Sequence, residues 1–147
     1  MVLGSLTHPE ILHVLKLVGH GDRIAIVDSN YPCFERRHPA VRLVTVNIAR
    51  GLVDAPTVLR LVAAGIPIEK LVYPRPTEEE SSGVLREVHA AFRGTRDEVC
   101  PSASVEAIAP LDFYALTSGT NLAVMIKTGE HRHFGSAVVT VGYLPES

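Results

Sequence analysis

The sequence predicts an α/β protein: a three-layer α/β/α sandwich around a mostly parallel sheet, built as a single domain over residues 1–147. Three observations lead there. Strand-like and helix-like segments alternate along the chain, the pattern of crossover units. "RIAIVD" (23–28) and "LAVMIK" (122–127) are apolar nearly throughout, as strands covered on both faces are. A length of 147 residues, 46% of them hydrophobic, is enough to bury one core without staples.

The elements follow in order. "THPEILHVLKLVGHG" reads as an amphipathic helix, with Thr7 as N-cap, Pro9 in the first turn and Glu10 completing a capping box. Ile11, Leu12, Leu15 and Val18 recur at helical spacing, and Gly19 or Gly21 ends the run. "RIAIVD" is the first strand and "RLVTVNI" the second, with "ARGLVDAP" as loop. "APTVLRLVAAG" is a helix stopping at Gly65, and "IEKLVYPRP" a strand. "PRPTEEESSG" is a surface loop whose acidic run at 78–80 forms a solvated helix entry, and "SGVLREVHAAFRG" is a helix ending at Gly94. "ASVEAIAP" is a strand, "PLDFYALTSGTN" a short helix, "LAVMIKTGE" a strand, "HRHFGS" a turn and "AVVTVGYL" the last strand. The sheet has room for an antiparallel strand at its end.

Composition narrows the function. A formal charge of -2 with dispersed basic residues gives no footprint for nucleic acid. Cys33 and Cys100 are far apart and in no metal-type spacing, so each reads as a free thiol in a reducing compartment. No signal-peptide pattern opens the chain, and no apolar run approaches the roughly 18 residues that cross a bilayer. The expectation is a soluble cytoplasmic protein with no membrane or nucleic-acid partner.

In open α/β sheets, ligands collect outside the carboxyl ends of the strands, which singles out Asp28 and the "TGE" after "LAVMIK". "GHGD" is either a glycine-rich helix end or a place where His20 stands uncovered as a proton carrier. Asp22 either orients that imidazole or caps the turn. Asp28, before Ser29 and Asn30, is either an Asx-turn residue or an acceptor for substrate hydroxyls. His131 and His133 fall on one side of an extended segment, from which a metal site with His20 and an aspartate can be drawn; a solvated basic turn is the simpler reading. "ERRHP" (35–39) is an anion-binding loop or merely an exposed one. There is no G-x-S-x-G, Walker or G-x-G-x-x-G sequence, so neither a serine nucleophile nor a phosphate cradle is indicated.

"HPEILHVLKLVGHGDRIAIVDSNYP" and "DFYALTSGTNLAVMIKTGEHRHFGSAVVTVGY" together resemble the RbsD/FucU family of D-ribose pyranases and L-fucose mutarotases. The shared pattern is a helix, G-H-G-D, an apolar strand, Asp28 and Pro32, then an F-Y helix, T-G-E and an aromatic-Gly-polar turn. The resemblance implies an isomerase of carbohydrate metabolism that interconverts ring forms or anomers of a monosaccharide by general acid/base catalysis, with no cofactor and no metal. It implies His20 as the general acid/base and Asp28 as a holder of sugar hydroxyls. Phe134, Gly135, Ser136 and Tyr114 complete the implied substrate-binding set, and a ring-like homo-oligomer, possibly a decamer, is the implied assembly. Two departures stand out: the family's Tyr-Gly-Asn turn is Phe134-Gly135-Ser136 here, and an arginine of the fucose branch falls at Pro110. They motivate the alternative of a divergent, non-catalytic sugar-binding or regulatory member.

Overall fold

The computed structural model describes residues 3–76 and 83–146; the acidic run at 78–80 lies outside them. The chain runs α1 (Pro9–Leu17), β1 (Arg23–Val27), α2 (Cys33–Arg36), β2 (Leu43–Thr45), α3 (Ala55–Ala63), β3 (Ile68–Pro74), α4 (Gly83–Val99), β4 (Ser104–Ile108), α5 (Pro110–Ser118), β5 (Leu122–Lys127) and β6 (Ala137–Val141). The strands form one six-stranded sheet in the order β2-β5-β1-β6-β3-β4. β1 pairs parallel with β5, β5 with β2, and β3 with β4. β6 runs antiparallel to both its neighbours, β1 and β3. The antiparallel strand therefore sits inside the sheet and not at its end.

Alternation along the strands builds the sandwich, because successive side chains leave opposite faces. Ile24, Ile26, Val124, Ile126, Ala137 and Val139 pack in one cluster with Val58, Leu59 and Val62 of α3, Val88 and Phe92 of α4, and Ile11 and Val14 of α1. Ala25, Val27, Met125 and Val138 pack on the other face with Phe113 of α5 and Tyr31, Cys33 and Val41. Both cysteines are buried free thiols.

Three boundaries differ from the sequence expectation. The cap of α1 is His8, whose Nδ1 accepts from the Ile11 N–H at 3.5 Å, and not Thr7. Pro9 explains the shift: a residue before proline is pushed to extended backbone, which is the conformation a cap needs, and His8 has ψ 118°. The helix leaves at Val18, and Gly21, with φ +90°, makes the turn into β1. α4 runs through Gly94 to Val99. A Cβ at Gly94 would meet nothing, so that glycine is only an exposed helical position. The helix stops where Arg96 Nη1 takes the carbonyls of Pro101 and Ala103. β2 ends early because the chain from 48 to 53 folds back over the end of β5. There the Gly51 N–H donates to the Gly129 carbonyl, and the Gly129 N–H to that of Val53, both at 2.7 Å.

Candidate active site

The sequence directs attention to two strand ends, and only one opens into a cavity. A pocket of about 180 Å³ lies where β1 and β3 end and β6 and α5 begin. Asp28, Asn30, Tyr31, Pro74, Pro110, Phe113, Tyr114, His133, Phe134 and Ser136 line it. It sits at the carboxyl ends of strands that diverge on either side of β6, the place where doubly wound sheets bind ligands.

Asp28 anchors the floor and is buried. Its Oδ1 accepts from the Asn30 N–H at 2.9 Å, an Asx turn that leads the chain off β1. Its Oδ2 accepts from Ser136 Oγ at 2.8 Å, and the Ser136 Oγ in turn accepts from the Asp28 N–H at 2.9 Å. Burial pushes the carboxyl above its ordinary value; the hydrogen bonds from Ser136 and the backbone and the charge of Lys127 oppose this without cancelling it. Asp28 thus makes the turn, and its buried carboxyl lines the cavity, where it holds a proton to higher pH than an exposed one.

The aromatic walls come from two elements. Tyr31 packs against Tyr114 with ring centroids 5.8 Å apart, and its hydroxyl is hydrogen-bonded to Thr117. Phe134 has φ +58°, a left-handed conformation that a non-glycine residue adopts only when its surroundings hold it. Its carbonyl takes a hydrogen bond from His89 Nε2 at 3.3 Å, and the His89 ring stacks on Tyr73 at 4.1 Å. Gly135 is a packing residue: a Cβ there would run into the Glu130 side chain and stand 2.9 Å from the Arg132 carbonyl.

Glu130, the acid of "TGE", serves this turn from beneath. Fully buried, it receives Arg132 Nε at 2.8 Å and Arg132 Nη2 at 2.9 Å. It also takes the Arg132 and Ala55 N–H groups at 3.1 and 3.3 Å. Burial raises its pKa, but the hydrogen bonds and charge of Arg132 outweigh that and leave it below the ordinary range. At the second strand end the acid is thus held in a buried ion pair with Arg132 that braces the turn.

His20 lies elsewhere. It precedes β1, whereas Asp28 follows it, so the strand separates them by roughly 17 Å at about 3.3 Å per residue. Its Nε2 faces Glu69 Oε2 at 2.9 Å and its ring meets Tyr143 edge-on at 5.4 Å. Asp22 does not orient it; its Oδ2 accepts from the Gly19 N–H at 2.8 Å and braces the turn. The sketched metal set is not assembled within the chain. His133 lines the pocket, His131 lies over Gly51, and His20 stands at the opposite end of the sheet.

Residues 1–144 match the model of the RbsD / FucU transport protein family. The chain belongs to the RbsD/FucU family. Among its relatives, the fucose mutarotase of Danio rerio is 24% identical over 151 residues, spanning 96% of this chain and 92% of that protein. The structure of Bacillus subtilis RbsD complexed with D-ribose superposes with a TM-score of 0.80 at 19% identity, over 99% of this chain and 100% of that one. Fucose mutarotase from Streptococcus pneumoniae in complex with L-fucose superposes at 0.76 and 18% identity, over 94% of each chain. At these identities the likeness establishes a shared RbsD/FucU fold. No helix among the described residues is long and apolar enough to cross a membrane.

Of the residues singled out from sequence, Asp28, Tyr114, Phe134 and Ser136 share one cavity, Gly135 supports it, and His20 is remote. Sequence reasoning missed Tyr31 and Phe113 as lining residues and His89 as support for Phe134, and it weighed His133 only as a metal ligand. Tyr31 carries a usable signal, since it follows a strand-end aspartate by one tight turn. His89 carries none, because a histidine on a helix does not announce which loop it will touch.

Proposed function

We propose that this protein interconverts ring forms or anomers of a monosaccharide by cofactor-free general acid/base catalysis. The observation that carries this reading is a ring-sized cavity with a buried carboxyl, Asp28, whose pKa burial raises, among aromatic walls. Relatives named for fucose mutarotase, and for RbsD complexed with D-ribose, support it. Opening a cyclic hemiacetal needs a proton delivered to the ring oxygen and one removed from the anomeric hydroxyl; rotation and reclosure give the other form. Asp28 holds sugar hydroxyls and shares a proton with them. The sugar ring stacks on Phe134, and Ser136 keeps the Asp28 carboxylate in place. General acid/base help of about 10²–10⁴-fold is sufficient for a reaction that already proceeds in water.

His20 enters this scheme from a second copy of the chain. Tyr143 and Leu144 are exposed at the His20 end of the sheet, and Phe34 and Leu111 near the pocket end. Two different apolar surfaces at opposite ends suit a head-to-tail contact, the kind that closes into a ring. Such a contact delivers the partner's His20 to the Asp28 cavity.

Exchange NMR on a panel of aldoses and ketoses tests the reading. The expected result is accelerated exchange for at least one sugar, lost in His20→Ala and Asp28→Asn. Mixing those two variants restores activity if each site draws on two chains. Sugar binding without acceleration for any member of the panel would overturn catalysis and favour the sugar-binding alternative.

A further inference from the structure

The Asp28 cavity has an imidazole of its own. His133 lines it together with Asp28 and Ser136, and its side chain is exposed on a turn that is otherwise held. Before it, Arg132 is tied to the buried Glu130 through its N–H, Nε and Nη2. After it, the Phe134 carbonyl takes the His89 Nε2 bond, Gly135 packs on Glu130, and Ser136 donates to Asp28. The backbone on both sides of His133 is thus fixed from beneath, while its ring stands at the cavity. A group held in place before the substrate arrives loses little freedom when it reacts.

Other polar groups of the same lining are engaged within the protein. Asp28 and Ser136 hold one another, Asp28 Oδ1 takes the Asn30 N–H, and the Tyr31 hydroxyl is bonded to Thr117. An imidazole is the side chain suited both to take and to give a proton near neutral pH. At about 180 Å³ the cavity is filled by one sugar ring, so a ring resting on the Asp28 floor also meets His133. We infer that His133 is a catalytic residue of this site, the base that takes the anomeric hydroxyl proton of the bound monosaccharide. This inference rests on reading the pocket as a sugar site. As the C1–O5 bond breaks, the O1–H electron pair becomes the second C1–O1 bond and the proton passes to His133. The C1–O5 pair stays on O5, which takes a proton from the partner's His20. Reclosure on either face returns both protons, and only the sugar is changed.

Exchange NMR on the full chain with D-ribose, L-fucose, D-glucose and D-fructose supplies the test. His133→Ala should lower the maximal exchange rate by about 10²-fold, while the half-saturating sugar concentration moves by less than about threefold. Added imidazole should restore part of that rate, beyond its effect on free sugar, by entering the space the ring has left. His133→Gln keeps bulk and polarity without a proton carrier and should be as slow as His133→Ala. His131→Ala, on the same turn but over Gly51 and outside the cavity lining, should stay within about twofold of wild type. The inference is overturned if His133→Ala keeps the wild-type rate, if its loss lies in the half-saturating concentration alone, or if imidazole restores nothing. It is overturned equally if His133→Gln matches wild type or if His131→Ala slows exchange as much. In each of those cases exchange by the wild type leaves the sugar-site reading standing. Absence of wild-type exchange for every sugar overturns that reading and the role of His133 with it.

Discussion

Ser136→Ala removes one oxygen and two interactions. Ser136 is buried, and its Oγ both donates to Asp28 Oδ2 at 2.8 Å and accepts from the Asp28 N–H at 2.9 Å. A hydrogen bond to a charged group is worth about 1.5–3 kcal/mol, and a buried N–H left without an acceptor costs about 1–3 kcal/mol. The two share atoms and are not additive, so the expected loss is about 2–4 kcal/mol, or roughly 5–15 °C in Tm for a domain of this size. Because Ser136 is the foremost influence opposing the burial of Asp28, its removal also drives the Asp28 pKa further up. The sign follows from linkage. A carboxyl whose folded pKa exceeds its unfolded value supports the fold at low pH and loses that support as the pH rises through the folded pKa. The variant's deficit is therefore largest near neutrality and shrinks below about pH 4, where the carboxyl is protonated in both states. Urea unfolding at several pH values, with carboxyl-carbon NMR titration of Asp28, reads both effects. An unmoved Asp28 titration together with a stability change under about 0.5 kcal/mol would refute the reasoning, since that is the range of an unremarkable surface substitution.

Other perturbations probe the supports of the pocket. Glu130→Gln should destabilise by about 3–5 kcal/mol, because Arg132 keeps its charge in a half-closed site; calorimetry measures it, and the wild type should lose this contribution only as acid drives the pH down through the lowered Glu130 pKa. His89, held below its ordinary pKa mainly by burial, should supply stability that is present above about pH 6.5 and fades as the pH falls toward its folded value. His89→Leu should flatten that stretch of the unfolding profile and weaken sugar binding through Phe134; a profile identical to wild type would count against it. Gly129→Ala puts a methyl into the Leu52 carbonyl, which is backbone and cannot swing away, so soluble yield or urea midpoint should drop by more than for Gly94→Ala, whose Cβ meets open space.

Much of the architecture is legible because each element carries its own period. The apolar runs of β1 and β5 mark strands covered on both faces, and the capped pattern near Pro9 marks α1. The family, too, is legible in the opening and closing stretches of the chain. What local pattern does not contain is strand order, so the interior position of β6 could not be read. Nor does it say whether a glycine such as Gly94 ends a helix; that depends on the buried Thr95 and Phe92 around it. The candidate site divides the same way. Asp28 is found from its strand end and turn chemistry, Ser136 only from the family resemblance, and the two meet across β1 and β6. "TGE" looks like chemistry at a strand end and proves to be a buried ion pair, because its partner Arg132 follows within the same turn. His20 reads as part of one constellation with Asp28, yet the strand between them makes any meeting a relation between chains.

The place of β6 has a consequence for how the chain acquires its shape on the ribosome. The last strand in sequence is the one that joins β5 and β1 to β3, so before residues 137–141 emerge the sheet exists only as two separate halves. Each half presents an open edge of β1 or β3 in the meantime, a template for pairing with another nascent chain. The pocket shares that timing, since Phe134 and Ser136 lie just before β6. The pocket lining and the sheet are thus completed by the same short stretch, and any ligand that binds the finished pocket favours the closed sheet by mass action.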